Sequence, residues 1–172
     1  MPKLIKLTQA GADWIDDRFT TVGDDEPVPQ GDVIISLTRY LAEGEALASN
    51  SREVGVLLTG GESVEVLAYD LPRIPVVALT FGKYRDGRAF TEAQLLRERF
   101  GYTGEIRAVG PSVLREQAVF MVRCGFDVFD AADGSTPEQW ATTAHRFRHV
   151  YQRASDGREP VFAERAQAER AK

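Results

Sequence analysis

V-V-A-L-T-F-G-K-Y-R-D-G-R-A-F, from Val76 to Phe90, is the stretch whose reading decides the fold. It opens as an apolar run of strand length, rich in β-branched residues. It then turns through Gly82 and Asp86-Gly87 and leads into a helix expected from Thr91. Thr91 and Gln94 stand at the spacing of a capping box, and Phe90 and Leu95 occupy the two positions of a hydrophobic staple. Strand, polar loop and capped helix make the βα unit of an α/β protein, in which loops at the carboxyl ends of strands gather ligand-binding groups.

Working outward, four more segments repeat the pattern: Val33–Leu37, Val54–Leu58, Glu105–Val109 and Phe126–Phe129. The expected fold is therefore α/β, with about five mainly parallel strands joined by right-handed crossovers. A three-layer flavodoxin-like sandwich is the first architecture this predicts; a partial (β/α) barrel completed by dimerisation is the alternative. Residues 1–153 are expected to form one domain with an irregular N-terminal segment, 1–31. That segment carries a short strand or hairpin, pinned by Trp14 and Phe19. Residues 154–172 read as a charged tail.

Between the strands, a helix is expected from a Thr38 cap to about Ser49, with Leu37, Leu41 and Ala48 inward. A short helix is expected over Ser63–Leu71, stopped by Pro72 and Pro75. After Gly110-Pro111-Ser112 a helix should bury Leu114, Ala118, Met121 and Val122. The last opens with the capping box Thr136-Pro137-Glu138-Gln139 and carries the stripe Trp140, Ala144, Phe147, Tyr151.

Composition narrows the function classes. The net charge of −5 argues against a general nucleic-acid binder, and no apolar run approaches the roughly 20 residues of a membrane span. The N-terminus lacks a hydrophobic stretch of signal-peptide length, so a cytoplasmic protein is expected. The single cysteine, Cys124, excludes an internal disulfide and a multi-cysteine cluster, and its place at a helix end reads as packing. His145 and His149 have helical spacing but no partner ligand on that face, so no metal site is expected. Thr59-Gly60-Gly61-Glu62 lacks the full spacing of a phosphate loop and reads as a tight turn.

Charge is uneven along the chain. Residues 83–123 carry eight basic and five acidic side chains, a net of +3 that leaves −8 on the remainder. The candidate anion- or partner-binding residues are Lys83, Arg85, Asp86 and Arg88 in one loop, with Arg107 in the next strand. An arginine in a central parallel strand needs a carboxylate or an anion. Arg107 reads either as an edge-strand residue, in solvent or paired with an acid, or as a site residue.

Phe81…Asp86-Gly87-Arg88, Leu95-Leu96-Arg97-Glu98-Arg99, Gly101-Tyr102-Thr103-Gly104-Glu105-Ile106-Arg107-Ala108-Val109-Gly110 and Arg123-Cys124-Gly125-Phe126-Asp127 resemble a bacterial domain-of-unknown-function family. Its members are commonly labelled oxidoreductases of sulfite reduction and are encoded near assimilatory sulfite reductase. The chain departs from the family pattern at Gly82, where proline is frequent, and at Pro111–Glu116, where the family carries aspartates.

The resemblance implies a setting in sulfur assimilation, with sulfite reductase or another protein of that pathway as partner. Three functions fit: an accessory protein that binds a partner, an enzyme or sensor for a small oxyanion, and a flavin-dependent reductase. The cofactor and the chemistry stay open, and a homodimer is one assembly that would fit.

Overall fold

The computed structural model describes residues 3–8, 10–48 and 51–170. Its centre is an eight-stranded sheet with spatial order β2-β1-β8-β7-β6-β5-β4-β3. The strands are β1 (Lys3–Thr8), β2 (Gly11–Asp16), β3 (Thr20–Thr21), β4 (Val33–Ser36), β5 (Val54–Leu58), β6 (Val76–Thr80), β7 (Glu105–Val109) and β8 (Val128–Phe129). From β3 to β8 every neighbour is parallel; β1 runs antiparallel to both β8 and β2. The five expected strands are present, with Leu37 and Phe81 lying beyond the strand ends and the last strand shortened to two residues.

The strand order rules out the flavodoxin-like sandwich. That fold needs a reversal in the order, so that helices cover both faces of the sheet. Here each crossover steps to the next neighbour in the same sense, and the helices collect on one face. They are α1 (Leu37–Ala48), α2 (Arg88–Gln94), α3 (Ala118–Arg123), α4 (Pro137–Ala144) and α5 (Val161–Arg170). The main core joins α1–α4 to one face of the sheet through Leu37, Ala93, Met121 and Trp140 on the helices and Val56, Leu79, Ile106 and Phe129 on the strands.

Connectivity forces the sheet to curl. β2 and β3 lie at opposite edges, yet only Asp17, Arg18 and Phe19 join them. Four Cα steps reach at most about 14 Å. Seven inter-strand spacings in a flat sheet would separate the edges by about 34 Å. The result is a strongly curled, open half-barrel, with the linking residues as a strap across its concave side. Gly55 stands where the curvature is tight: an added Cβ would lie 2.9 Å from Ile34 Cγ1 and 3.1 Å from the Val76 carbonyl oxygen.

The strap is well anchored. Phe19 packs on Ile34, Val76 and Ala78, forming a second small core on the concave face. Arg18 bonds Asp32 at 2.6 Å and also pairs with Glu53, while Asp17 takes Arg107. The segment expected to be irregular is thus a hairpin plus a structural brace. Phe19 is buried, but Trp14 is 46% exposed and pins little.

Several helices depart from expectation for visible reasons. Ser36, not Thr38, caps α1, its hydroxyl accepting the Arg39 N–H at 3.1 Å. The helix faces inward through Leu37, Tyr40, Gly44 and Leu47, leaving Leu41 and Ala48 exposed; the expected end at Ser49 lies outside the described residues. The 63–71 region forms two 3₁₀ turns, Val64–Leu67 and Leu71–Arg73, and Pro72 sits inside the second.

The capping box at Thr136 forms as read, and Trp140 and Ala144 are buried. The helix stops there, so Phe147 and Tyr151 are exposed. The tail is partly docked: the Ser155 N–H bonds the Arg123 carbonyl, and Arg123 holds Asp156 at 3.1 Å. α5 beyond it buries no residue.

Candidate functional site

Two places deserve the description of a site: the loop rim at the carboxyl ends of the parallel strands, and the hollow inside the curl. At the rim, α2 begins earlier than the sequence predicts, at Arg88 after Gly87, so Thr91 lies within the helix and makes no cap. What holds the β6–α2 loop is a two-pronged ion pair. Arg88 Nε donates to Asp86 Oδ1 at 2.9 Å and Arg88 Nη2 to Asp86 Oδ2 at 2.6 Å. Asp86 Oδ1 also accepts the Arg88 N–H.

The guanidinium lies over Gly60 and Gly61. A Cβ on Gly60 would stand 2.7 Å from Arg88 Nη2, so the Gly-Gly turn makes room for the arginine. Glu62 folds back onto the Thr59 amide at 2.6 Å, closing that turn from within. On the other side, Ser112 N–H bonds the Phe81 carbonyl, and the Gln117 amide reaches the Tyr84 carbonyl at 3.4 Å. The loops after β5, β6 and β7 thus pack into one rim. Beside them, the Thr80 hydroxyl at the end of β6 is buried without a hydrogen bond among the described residues.

Hydrogen bonds from the Arg88 side chain, then from its backbone N–H, hold the Asp86 carboxyl down at about 2. Asp86 is ionised at neutral pH and committed to Arg88, which suits an orienting group and not an acid/base catalyst. Lys83 and Arg85 are different. Both are exposed, and neither makes a contact ion pair among the described residues, although Lys83 lies near enough to Asp86 to favour its charge; between them stands Tyr84, 54% exposed. The loop therefore presents cation, aromatic, cation on a rigid base.

Arg107 does not join this group. It lies in β7, a central strand, with its side chain only 4% exposed on the concave face. The expected edge position is wrong, and the expected acidic partner is right twice over. Asp17 Oδ2 accepts from Nη1 at 2.8 Å, Glu105 Oε1 accepts from Nε at 2.8 Å, and Phe19 lies 5.7 Å away, ring centre to guanidinium carbon. Arg107 lines a cavity of 230 Å³ with Leu4, Asp17, Thr21, Ile34, Leu57, Ala78, Val109 and Asp130. Leu57 and Val109 lie in the carboxyl halves of β5 and β7, Ala78 at the middle of β6, and Asp130 follows β8, so the hollow opens toward the same rim. No residue of the 82–89 loop lines it.

Asp130 opens the loop after β8, one of the loops that sequence reading expects on the functional face. Asp17 and Thr21 are site residues it did not single out, because they depend on a strap that only the folded sheet brings near.

Larger grooves elsewhere are braced by their own charges. In the 580 Å³ groove at the opposite end of the strands, Arg97 spends its donors on the Gly125, Tyr102 and Gly104 carbonyls and on Asp127. His149, read with His145 as a helical pair, instead sets Nδ1 2.8 Å from Glu164, and α4 ends before either histidine. Burial, with Glu98 nearby, pushes the Cys124 thiol up, in keeping with a packed side chain. Among the described residues no helix is long and apolar enough to cross a membrane.

Fold and site together define an α/β half-barrel with a cationic loop rim and a small polar-floored hollow. The chain belongs to the bacterial protein family of unknown function DUF934, whose model matches residues 55–162. A comparison with curated proteins found no match. The matched region contains the whole 82–89 loop, Arg107 and Asp130, while Asp17, Phe19 and Thr21 precede it.

Proposed function

We propose that the protein is an accessory factor that binds a partner through the loop after β6, in the setting of assimilatory sulfite reduction that the sequence resemblance suggests. The observation that supports this is Lys83-Tyr84-Arg85. These residues project from a loop braced by the Asp86–Arg88 fork and the Gly60–Gly61 turn, and neither cation is held in a contact ion pair among the described residues. An exposed tyrosine between two cations on a braced loop has the composition of an interface anchor for an acidic protein surface, because little backbone ordering entropy is lost on docking.

The test is co-purification with sulfite reductase from a host grown on sulfate, comparing wild type with Lys83→Glu, Arg85→Glu. Loss of the partner with unchanged thermal stability supports the docking role. Unimpaired sulfite assimilation in a deletion strain would remove the pathway assignment.

The same cations also fit a small oxyanion, and calorimetric titration with sulfite, sulfate and phosphate separates that reading. A flavin-dependent reductase is tested by adding flavin to the purified protein; unchanged flavin fluorescence would remove it. The strap bears on assembly as well. A second copy completing the barrel would have to displace Asp17–Phe19 from the concave face, so a homodimer, if light scattering detects one, is expected to use another surface.

A further inference from the structure

We infer that the hollow of the half-barrel binds a small aliphatic zwitterion of the α-amino-acid type. This concerns the inside of the sheet and does not depend on the loop's docking role. The cavity of 230 Å³ has room for about eight non-hydrogen atoms, if each takes the ~30 Å³ of a liquid water. Its walls are aliphatic, from Ile34, Leu57 and Val109, and its polar groups stand at two levels.

At the lower level is Arg107. Its Nε and Nη1 are taken by Glu105 and Asp17, while Nη2 has no hydrogen-bond partner among the described residues. A guanidinium 4% exposed with Nη2 unspent offers the N–H donors of that nitrogen to whatever enters. At the upper level is Asp130, exposed at the rim, whose carboxylate likewise has no partner among the described residues.

Register fixes their relation. Arg107 pairs with Val128, and Asp130 lies two residues further along, so both side chains take the concave side. The two Cα atoms are about 8 Å apart, from ~3.3 Å per residue along the strand and ~4.8 Å between strands.

Charge decides the ligand class. Asp17 and Glu105 already outnumber Arg107, and Asp130 adds another negative charge. A bare oxyanion would enter against that surplus. A ligand that sets an ammonium on Asp130 and a carboxylate oxygen on Arg107 Nη2 satisfies both free groups without changing the net charge, and its alkyl chain takes the aliphatic walls.

The intact protein is titrated calorimetrically with glycine, alanine, valine and leucine, and in parallel with isobutyrate, isobutylamine and sulfite. The aliphatic amino acids are expected to bind at least about tenfold more tightly than the single-charge probes, and to shift the methyl resonances of Ile34, Leu57 and Val109. Asp130→Asn, a rim change that leaves the core intact, should weaken that binding by about tenfold or more. Val109→Phe should fill the mouth and abolish it. Absence of amino-acid binding at millimolar concentration, tighter binding of sulfite, isobutyrate or isobutylamine, or an Asp130→Asn protein that binds as wild type would each overturn the inference.

Discussion

Replacing Asp17 by alanine should cost about 3–4 kcal/mol of folding stability, although Asp17 stands just one position beyond the end of the β1–β2 hairpin. The reasoning starts from Arg107, whose side chain is 4% exposed, and Asp17, which is 10% exposed. Removing one partner of so buried a pair costs about 3–5 kcal/mol, because a charge is left without compensation. Glu105 stays at 2.8 Å from Nε, which moves the cost to the lower end of that range. Asp17 Oδ1 also accepts the Phe19 N–H at 3.0 Å, and losing that bond adds about 1 kcal/mol. Urea unfolding at neutral pH, read as a change in midpoint at constant slope, measures the loss. A double-mutant cycle isolates its origin. Asp17→Leu with Arg107→Met leaves no buried arginine, so the pair should be less destabilised than Asp17→Ala alone, with a coupling above about 1.5 kcal/mol. A cost below about 1 kcal/mol for Asp17→Ala, or additive single changes, would refute the claim that the strap is held through Arg107.

The other expectations can be tested on the same preparation. The Asp86 carboxyl should titrate with a midpoint at about 2 by NMR, and in Arg88→Gln it should move toward the ~3.9 of a free aspartate. The folded value is depressed, so the ion pair's contribution is complete above about pH 4 and fades as the pH falls toward 2. Trp140 is fully buried, and its indole N–H donates to Ser135 Oγ at 2.7 Å; Trp140→Ala should destabilise by about 3–5 kcal/mol in chemical denaturation. Phe147→Ala and Tyr151→Ala, at exposed positions, should stay within about 0.5 kcal/mol by the same measurement. Gly110 has φ +110°, and an added Cβ would meet the Phe81 carbonyl oxygen at 2.9 Å; Gly110→Ala should therefore cost at least about 1–3 kcal/mol, and an unchanged melting temperature would contradict the close crossing of these loops.

What could be read from the chain divides along the range of the interactions. The strands Val33–Ser36, Val54–Leu58, Val76–Thr80 and Glu105–Val109 were legible because each is a short apolar run between turn residues, a signal carried by the residues themselves. Their order was not legible. A sandwich and a half-barrel use the same right-handed crossovers, and the choice rests on which neighbour each strand takes. The box at Thr136 was read correctly because its partners are three residues apart. The one at Thr91 misled because Asp86 and Arg88 fix the loop first and start the helix at Arg88. Of the candidate residues, the loop set Lys83, Arg85, Asp86 and Arg88 was visible as a local cluster. Arg107 was visible only as an anomaly, since Asp17, ninety residues away in sequence, completes it.

The closing of the sheet has a consequence for how the polypeptide emerges from the ribosome. The hairpin β1–β2 is made before the parallel strands, yet Ile5, paired with Trp14 inside it, meets its second sheet neighbour only at Phe129, 124 residues later. Until then the hairpin has an open flank, with Leu4, Ile5 and Leu7 uncovered, while β4 to β7 can already zip together in the order of synthesis. Loop closure over that distance comes late and slows folding. During this interval the nascent chain carries two unpaired strand edges, a vulnerability to self-association that a chaperone holding the β1–β2 hairpin would relieve. Moving β1–β2 by circular permutation to follow β8 would shorten the wait, and the permuted chain should refold faster than the natural one.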